Sequence, residues 1–299
     1  MGDFKIGSFN CLHGSVVKED ICPTTGETCN QTLAKIIRLK QIDIIALQEY
    51  NAANKFAESK WKMLLGGKWN ILPCDYSSSF AILYNHDKFT HIKYDEDDMC
   101  SRQYRNIINK VKSNGYGGEL QWKPQIICFR PKNEQKIEIR IINAHIRFSE
   151  KRPEQKFVHI PEAQLITRKN EFDIMVSIYD DVNFLMFNGS VYTLMAGDFN
   201  MEQSHIEPFL REKNNLLSKL HIKRRATLGL KQLQKSSLHE KKQLDYFNAS
   251  YDHFIVNSEI GTADSFRFDT VKQYFTSDNE KHYSEFSDHV PIIMDFSIR

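Results

Sequence analysis

The run Leu194-Met195-Ala196-Gly197-Asp198-Phe199-Asn200 places a carboxylate and an amide two residues apart at the end of an apolar stretch. In an extended chain that spacing puts both side chains on one face. Asp198 can then accept a proton or hold a cation, and Asn200 can orient a water molecule or a phosphate oxygen. Gly-Asp-Phe-Asn by itself is equally an ordinary strand-end turn. Four more polar clusters adjoin apolar runs, however. Asn10 closes the alternating stretch from Phe4, Glu49 follows Ile42 to Gln48, and His145 follows Ile139 to Ala144. The fourth cluster joins Asp252, within Tyr251 to Val256, to Asp288 and His289, which lead into Val290 to Ile293. An Asp beside a His is the usual way to hold one ring nitrogen and raise the basicity of the other.

These side chains need strands that end together. The sequence predicts strands at Phe4 to Asn10, Ile42 to Leu47, Trp69 to Leu72, Phe80 to Tyr84, Val191 to Ala196, Tyr251 to Val256 and Val290 to Phe296. Ile126 to Phe129 and Ile137 to Ile142 read as hairpin partners. The nearly continuous apolar run at Ile42 is that of a strand buried on both faces. Helices are predicted after the capping-box pair Thr28 and Gln31 to about Lys40, from Pro161 to about Tyr179, and from Ile206 to Lys219. Asp95 to Gly118 reads as a charged stretch ending in a flexible loop. Its glycines lack the spacing of a nucleotide cradle. Phe184-Leu185-Met186-Phe187 reads as a core segment. No repeat or linker interrupts the chain, so residues 1–299 read as one domain of layered α/β type.

At 299 residues and 41% hydrophobic content the chain can bury a substantial core. No apolar run reaches the roughly 20 residues of a membrane span. Met1-Gly2-Asp3 leads directly into the first strand, without the pattern of a signal peptide. Ile6 stands where a myristoylation motif needs Ser or Thr. An intracellular protein, cytoplasmic or nuclear, is therefore expected, with its six cysteines reduced. A Cys22–Cys29 disulfide would be expected only on export. No Cys/His spacing matches a zinc site. Net charge is only +2, but ten basic residues oppose two acidic ones between Arg211 and Lys242. Such a stretch is either a solvated surface or an electrostatic footprint for a polyanion.

In order and in strand context, the five clusters resemble the endonuclease/exonuclease/phosphatase superfamily, the deoxyribonuclease I-like phosphodiesterases. The resemblance runs from Phe4 to Phe296. It implies a four-layer sandwich, two packed mixed β-sheets flanked by helices, and a Mg²⁺-dependent phosphodiesterase in which Mn²⁺ can substitute. By resemblance Glu49 is the principal metal ligand, with Asn10 beside it and Asp288 near the ion. Magnesium keeps several waters and often takes only one or two protein carboxylates. His145 donates to a phosphate oxygen, and Asp252 polarises His289, which contacts the scissile phosphate. Either Asp198 or His289 takes the proton of the attacking water; Asp198 is favoured, with Asn200 positioning that water. Two departures stand out. Leu12 occupies a position that is acidic in some members, and Ser77-Ser78-Ser79 lies where some nucleases carry a Glu partner for the histidine. Arg147, and Lys223, Arg224 and Arg225 in the basic stretch, are candidate substrate contacts. Trp122, Lys123, Asp245 and His253 are weaker candidates. A nucleic-acid substrate is favoured, DNA first, for a monomer without a protein partner. A phospholipid or phosphoinositide enzyme and a non-catalytic binding module are the alternatives.

Overall fold

The computed structural model describes residues 3–15, 20–146, 162–219, 228–231, 234–257 and 265–297. Arg147, Pro161 and the Lys223, Arg224 and Arg225 group lie outside the described residues.

Two six-stranded sheets face each other. The first has the order β13 (Ser265–Arg267), β14 (Ile292–Ser297), β1 (Asp3–Ser15), β4 (Ile44–Asn51), β6 (Ser77–Asn85) and β5 (Trp69–Cys74). The second has the order β11 (Leu228–Lys231), β12 (Asp252–Asn257), β10 (Ser190–Asp198), β9 (Ile137–His145), β8 (Gln125–Pro131) and β7 (Phe89–His91). A short hairpin of β2 (Ile21–Cys22) and β3 (Glu27–Thr28) stands apart. In each large sheet the central pair is parallel, β1 with β4 and β9 with β10. Their outer neighbours run antiparallel. The carboxyl ends of the central strands therefore share an edge with the amino ends of β12 and β14, and every motif above falls on that edge.

Alternation along the strands builds the layers. Ile44 and Ala46 on β4, Ile141 on β9 and Leu194 on β10 point between the sheets. Ile45 and Leu47 face outward onto α1 (Cys29–Lys40) and α2 (Ala57–Leu65), through Leu33, Ile36 and Trp61. Ile142 and Met195 face α3 (Met99–Lys112), α4 (Glu162–Asn183) and α5 (Gln203–Lys219), through Ile107, Phe172 and Ile206. The result is an α/β/β/α sandwich whose central strands are buried on both faces, as their continuous apolar runs require. Short α6 (Thr270–Tyr274) and α7 (Asn279–Glu285) complete the described helices before β14. None of these helices is long and apolar enough to cross a membrane.

The capping box at Thr28 forms as expected, with its side chain accepting from Gln31 N. Polar residues cross the apolar gap just below the strand ends. Gln48 Nε2 donates to Asn143 Oδ1 at 2.7 Å, and Asn143 Nδ2 donates to Leu47 O at 3.0 Å. These bonds join the two sheets where their motifs begin. Gly197 on β10 passes so close to β9 that a Cβ there would lie 1.8 Å from Ala144 O. Only glycine allows the contact that sets Asp198 opposite His145.

Two expectations need correction. The stretch at Asp95 contains α3, started by Asp98 accepting from Ser101 N. Its apolar stripe, Cys100, Tyr104, Ile107, Ile108 and Val111, has helical spacing, but the many charged and polar residues around it make the segment read as exposed loop. Helix α2, not among the helices expected from the sequence, has the buried stripe Ala57, Trp61 and Leu65. The Phe184 to Phe187 segment is not a core segment throughout: only Leu185 is buried, while Phe184 and Met186 are exposed. The six cysteines form no disulfide, as expected of reduced thiols; Cys22 and Cys29 lie 3.6 Å apart, sulfur to sulfur.

Candidate active site

Asp198, the last residue of β10, is 1% exposed, and its Oδ2 is the hub of the site. Asn10 Nδ2 donates to it at 3.1 Å. His289 Nε2 stands 3.5 Å away and His145 Nε2 3.7 Å away. Asn10 Nδ2 also reaches Glu49 Oε1 at 3.2 Å, so one amide ties the end of β1 to both carboxylates. Glu49 Oε1 lies 3.9 Å from His145 Nε2, and Glu49 Oε2 lies 3.3 Å from His13 Nδ1. Glu49 and Asn200 both adopt left-handed backbone, φ 52° and 48°. Such strain turns each side chain off the regular strand direction, and strained backbone gathers at working sites.

On the other side, His289 Nδ1 lies 2.6 Å from Asp252 Oδ2. The Ser236 hydroxyl donates to the same oxygen at 2.6 Å. Residues 236–238 are laced to this wall by backbone bonds, Val290 N to Ser236 O and Leu238 N to Asp288 O. The Ser287 hydroxyl donates to Asn10 O at 2.7 Å and accepts from His289 N at 3.1 Å, joining the end of β1 to the lead into β14. Asn200 N donates to Asp198 Oδ1, and its side-chain amide donates to Ile146 O, both at 2.8 Å. Buried Arg168 of α4 donates to Asn200 O at 2.6 Å and fixes the loop after β10.

Charge follows from this geometry. Burial pushes the Asp198 carboxyl up to about 7, despite the opposing effects of His289 and the Asn200 and Asn10 hydrogen bonds. Burial, with His289 adding to it, pulls His145 down to about 3, so its ring is neutral. Burial alone would lower His289 too, but Asp252, Asp288 and Asp198 together raise it well above the ordinary value. The site thus pairs a cationic imidazole with a neutral one across a carboxyl that exchanges its proton near neutrality.

These groups line a cleft of about 390 Å³, with Tyr251, Tyr283 and residues 237–240 along its walls. Asp198, Asp252 and His289 bring ligand-type atoms within 4.8 Å of one another. In that trio His289 Nδ1 and Ser236 already engage Asp252 Oδ2, while Asp252 Oδ1 is buried without a donor among the described residues; the trio lies deeper than the open carboxylate of Glu49. Glu49 and Asp288 suit a cation better. Glu49 opens to the cleft, and Asp288 Oδ1 is a buried oxygen without a donor among the described residues. An anionic oxygen left unpaired is costly unless a cation or water completes it.

Asn10, Glu49, His145, Asp198, Asn200, Asp252, Asp288 and His289 all meet here; of these, only Asp252 does not line the cleft itself, standing behind His289. His253 points away and bonds Met201 O at 2.9 Å through Nε2. Lys123 bonds Lys112 O outside the cleft. Trp122, a minor candidate in the sequence, stacks flat on His145 with ring centroids 4.0 Å apart and planes 4° apart. Ser236, Ser287 and Arg168 were missed. Ser287 at least adjoins the Asp-His pair, whereas nothing in sequence marks Ser236 or Arg168.

Residues 7–289 match the Endonuclease/Exonuclease/phosphatase family, and the chain belongs to it. Members of this family are generally hydrolytic enzymes, nucleases and phosphatases among them, and typically depend on a divalent metal. Solved structures share the fold at low identity. A functionally unknown conserved protein from Enterococcus faecalis V583 has a TM-score of 0.57 at 13% identity, covering 99% of this chain and 100% of that one. An endonuclease/exonuclease/phosphatase from Bacteroides vulgatus gives 0.54 at 13%, covering 100% of both. D. rerio TDP2 complexed with a single-strand DNA product gives 0.53 at 10%, again covering 100% of both. No protein with a curated description matches the sequence.

Proposed function

We propose that the protein is a divalent-metal-dependent phosphodiesterase that cleaves nucleic acid. The observation that carries this reading is the convergence on one cleft of Asp198, a neutral His145 and a cationic His289 backed by Asp252. Asp198, raised to about 7, has the proton affinity of a general base working at neutral pH. The side-chain amide oxygen of Asn200 orients the attacking water beside it. His289 and His145 donate to the non-bridging phosphate oxygens, one as a charged donor and one as a neutral donor. Asp252 keeps the His289 ring in place and charged. Glu49 and Asp288, with Asn10 orienting Glu49, would hold Mg²⁺ or Mn²⁺, which supplies charge neutralisation at the phosphate and the leaving oxygen.

Two features favour nucleic acid over lipid. Residues 237–240 at the cleft wall carry no Lys or Arg themselves but are flanked in sequence by Lys235, Lys241 and Lys242, and a fold neighbour, D. rerio TDP2, is complexed with single-strand DNA. The exposed apolar pair Phe184 and Met186 lies just ahead of Ser190, where β10 starts opposite the first residue of β9. That edge is opposite the cleft, so these side chains cannot seat a membrane against the site.

The test is a Mg²⁺ panel of single- and double-stranded DNA, abasic DNA, RNA, phosphoinositides and sphingomyelin. Cleavage of an oligonucleotide is expected. Excess oligonucleotide should also block hydrolysis of bis(p-nitrophenyl) phosphate better than anionic vesicles do. Cleavage of lipid alone, with vesicles the stronger competitor, overturns the reading.

A further inference from the structure

His145 lacks the support usual for a buried imidazole that must hold one orientation. Its Nδ1 is buried without a hydrogen-bond partner among the described residues. The start of β6, Ser77 to Ser79, brings no carboxylate to it, and Ser79 N instead donates to Ser77 Oγ at 3.4 Å. The outer nitrogen, Nε2, faces Asp198 and Glu49 at 3.7 and 3.9 Å. A lone pair aimed at two carboxylates is repelled, so the proton belongs on Nε2. The torsion that turns an imidazole is broad and nearly two-fold. With no bond at Nδ1, hydrogen bonding alone does not fix the plane of this ring.

The indole of Trp122 does. It lies parallel to the imidazole at 4.0 Å and lines the same cleft. Its own loop is pinned on both sides. Gln121 N donates to Glu171 Oε1 at 3.1 Å, and the Tyr76 hydroxyl donates to Pro124 O at 2.8 Å. Helix α4 and the β5–β6 turn thereby hold the indole still.

We propose that Trp122 is a positioning residue for His145, its stacked indole fixing the plane of a ring with no partner on its inner nitrogen and so aiming Nε2–H at the phosphate oxygen. The proposal rests on the reading of His145 as a phosphate donor. Donor placement matters steeply, since an error of about 1 Å can cost roughly 100-fold in rate. A stack holds a plane without adding charge, so the donor stays neutral beside the cationic His289.

The test compares Trp122→Phe, which keeps a flat ring, with Trp122→Leu and Trp122→Met, which do not. The protein, labelled at its eleven histidines, is followed by the tautomer-sensitive ring carbon and nitrogen resonances. His145→Gln identifies the signal to watch. Phe should keep the single Nε2–H pattern, while Leu and Met should give averaged or doubled signals. With Mg²⁺ and bis(p-nitrophenyl) phosphate, Leu and Met should lower kcat about 10- to 100-fold. KM and Mg²⁺ affinity by calorimetry should stay within about twofold, and Phe should retain most of kcat. Unchanged His145 signals in whichever of the Leu and Met variants folds would overturn the proposal. Because those signals need no turnover, they decide the matter even if the protein cleaves no phosphodiester. Disordered signals in an inactive protein would sink the functional reading and leave the stack standing.

Discussion

His282 and His145 are both buried, and burial holds both near pKa 3. Their surroundings differ in kind. His282 Nδ1 bonds Ser287 O at 2.6 Å, and its Nε2 bonds the Thr270 hydroxyl at 2.7 Å, with Phe275 and Phe286 packed edge-on around the ring. Every polar atom of that side chain is used, and the ring serves as a strut between α6, α7 and the loop ahead of His289. His145 has one nitrogen without a partner among the described residues, one aimed into a cleft among carboxylates, and an aromatic face laid flat against it. A ring with both nitrogens satisfied has nothing left to offer a substrate. One held by stacking keeps its outer N–H free for a ligand.

The comparison is sharpest for substitutions in the cleft itself. Glu49→Gln and His289→Ala should each lower kcat by about 1000-fold or more while thermal midpoints stay within a few degrees. EDTA should abolish turnover, and Mg²⁺ or Mn²⁺ should restore it. Asp252→Asn combined with His289→Ala should lose little beyond the larger single loss, because the two act as a unit. Full activity in EDTA sinks the metal assignment.

Next comes the direct exchange of roles. His145→Gln should cost about 100-fold in kcat and change unfolding free energy by less than about 1 kcal/mol. His282→Gln should do the reverse, losing about 2–3 kcal/mol of stability with less than a tenfold fall in kcat. Urea denaturation beside steady-state kinetics reads both. If the two variants behave alike, the distinction between strut and donor fails.

Effects of pH are smaller but separable. Both rings are neutral in the fold, whereas the unfolded chain takes up their protons near pH 6.5. Their stabilising contribution is therefore complete above about 6.5 and declines as pH falls towards 3, by roughly 1.4 kcal/mol per unit for each ring. His282→Gln should flatten that slope in denaturation midpoints taken between pH 4 and 7. Turnover should follow Asp198 instead, rising as its carboxyl loses its proton near pH 7, and Asp198→Asn should abolish that limb of the rate profile. The smallest effect expected is that of Ser236→Ala, about tenfold in kcat, since Asp252 keeps its bond to His289.

Much of this arrangement is legible in sequence for a physical reason. Central strands buried on both faces read as unbroken apolar runs, so a polar residue ending one, such as Glu49 or His145, stands out. Family resemblance then gives the order and the layers. Helix α3 is legible too, since Tyr104, Ile107, Ile108 and Val111 stand at helical spacing, but the charges around them draw the eye to a loop. Ser236 and Arg168 stay hidden because their roles come only from contacts, an Asp252 oxygen and an Asn200 carbonyl, with residues far along the chain. The weight of Trp122 depends on an interplanar angle, which spacing does not encode.

The position of β1 also has a consequence for how the chain is made. Strand β1 lies between β4 and β14, with Phe4 paired to Phe296 and Ile6 to Met294. Roughly 280 residues separate β1 from β14, about 15–60 s of ribosomal elongation at 5–20 residues per second. Throughout that interval one edge of β1 waits unpaired, with apolar Phe4 and Ile6 beside it, a template for wrong pairing with other chains. His289 arrives only just before the strand that closes this edge. A nascent chain therefore gains its working cleft and loses its stickiest edge almost together, and a chain cut short near Phe286 should lack the cleft and keep the open edge.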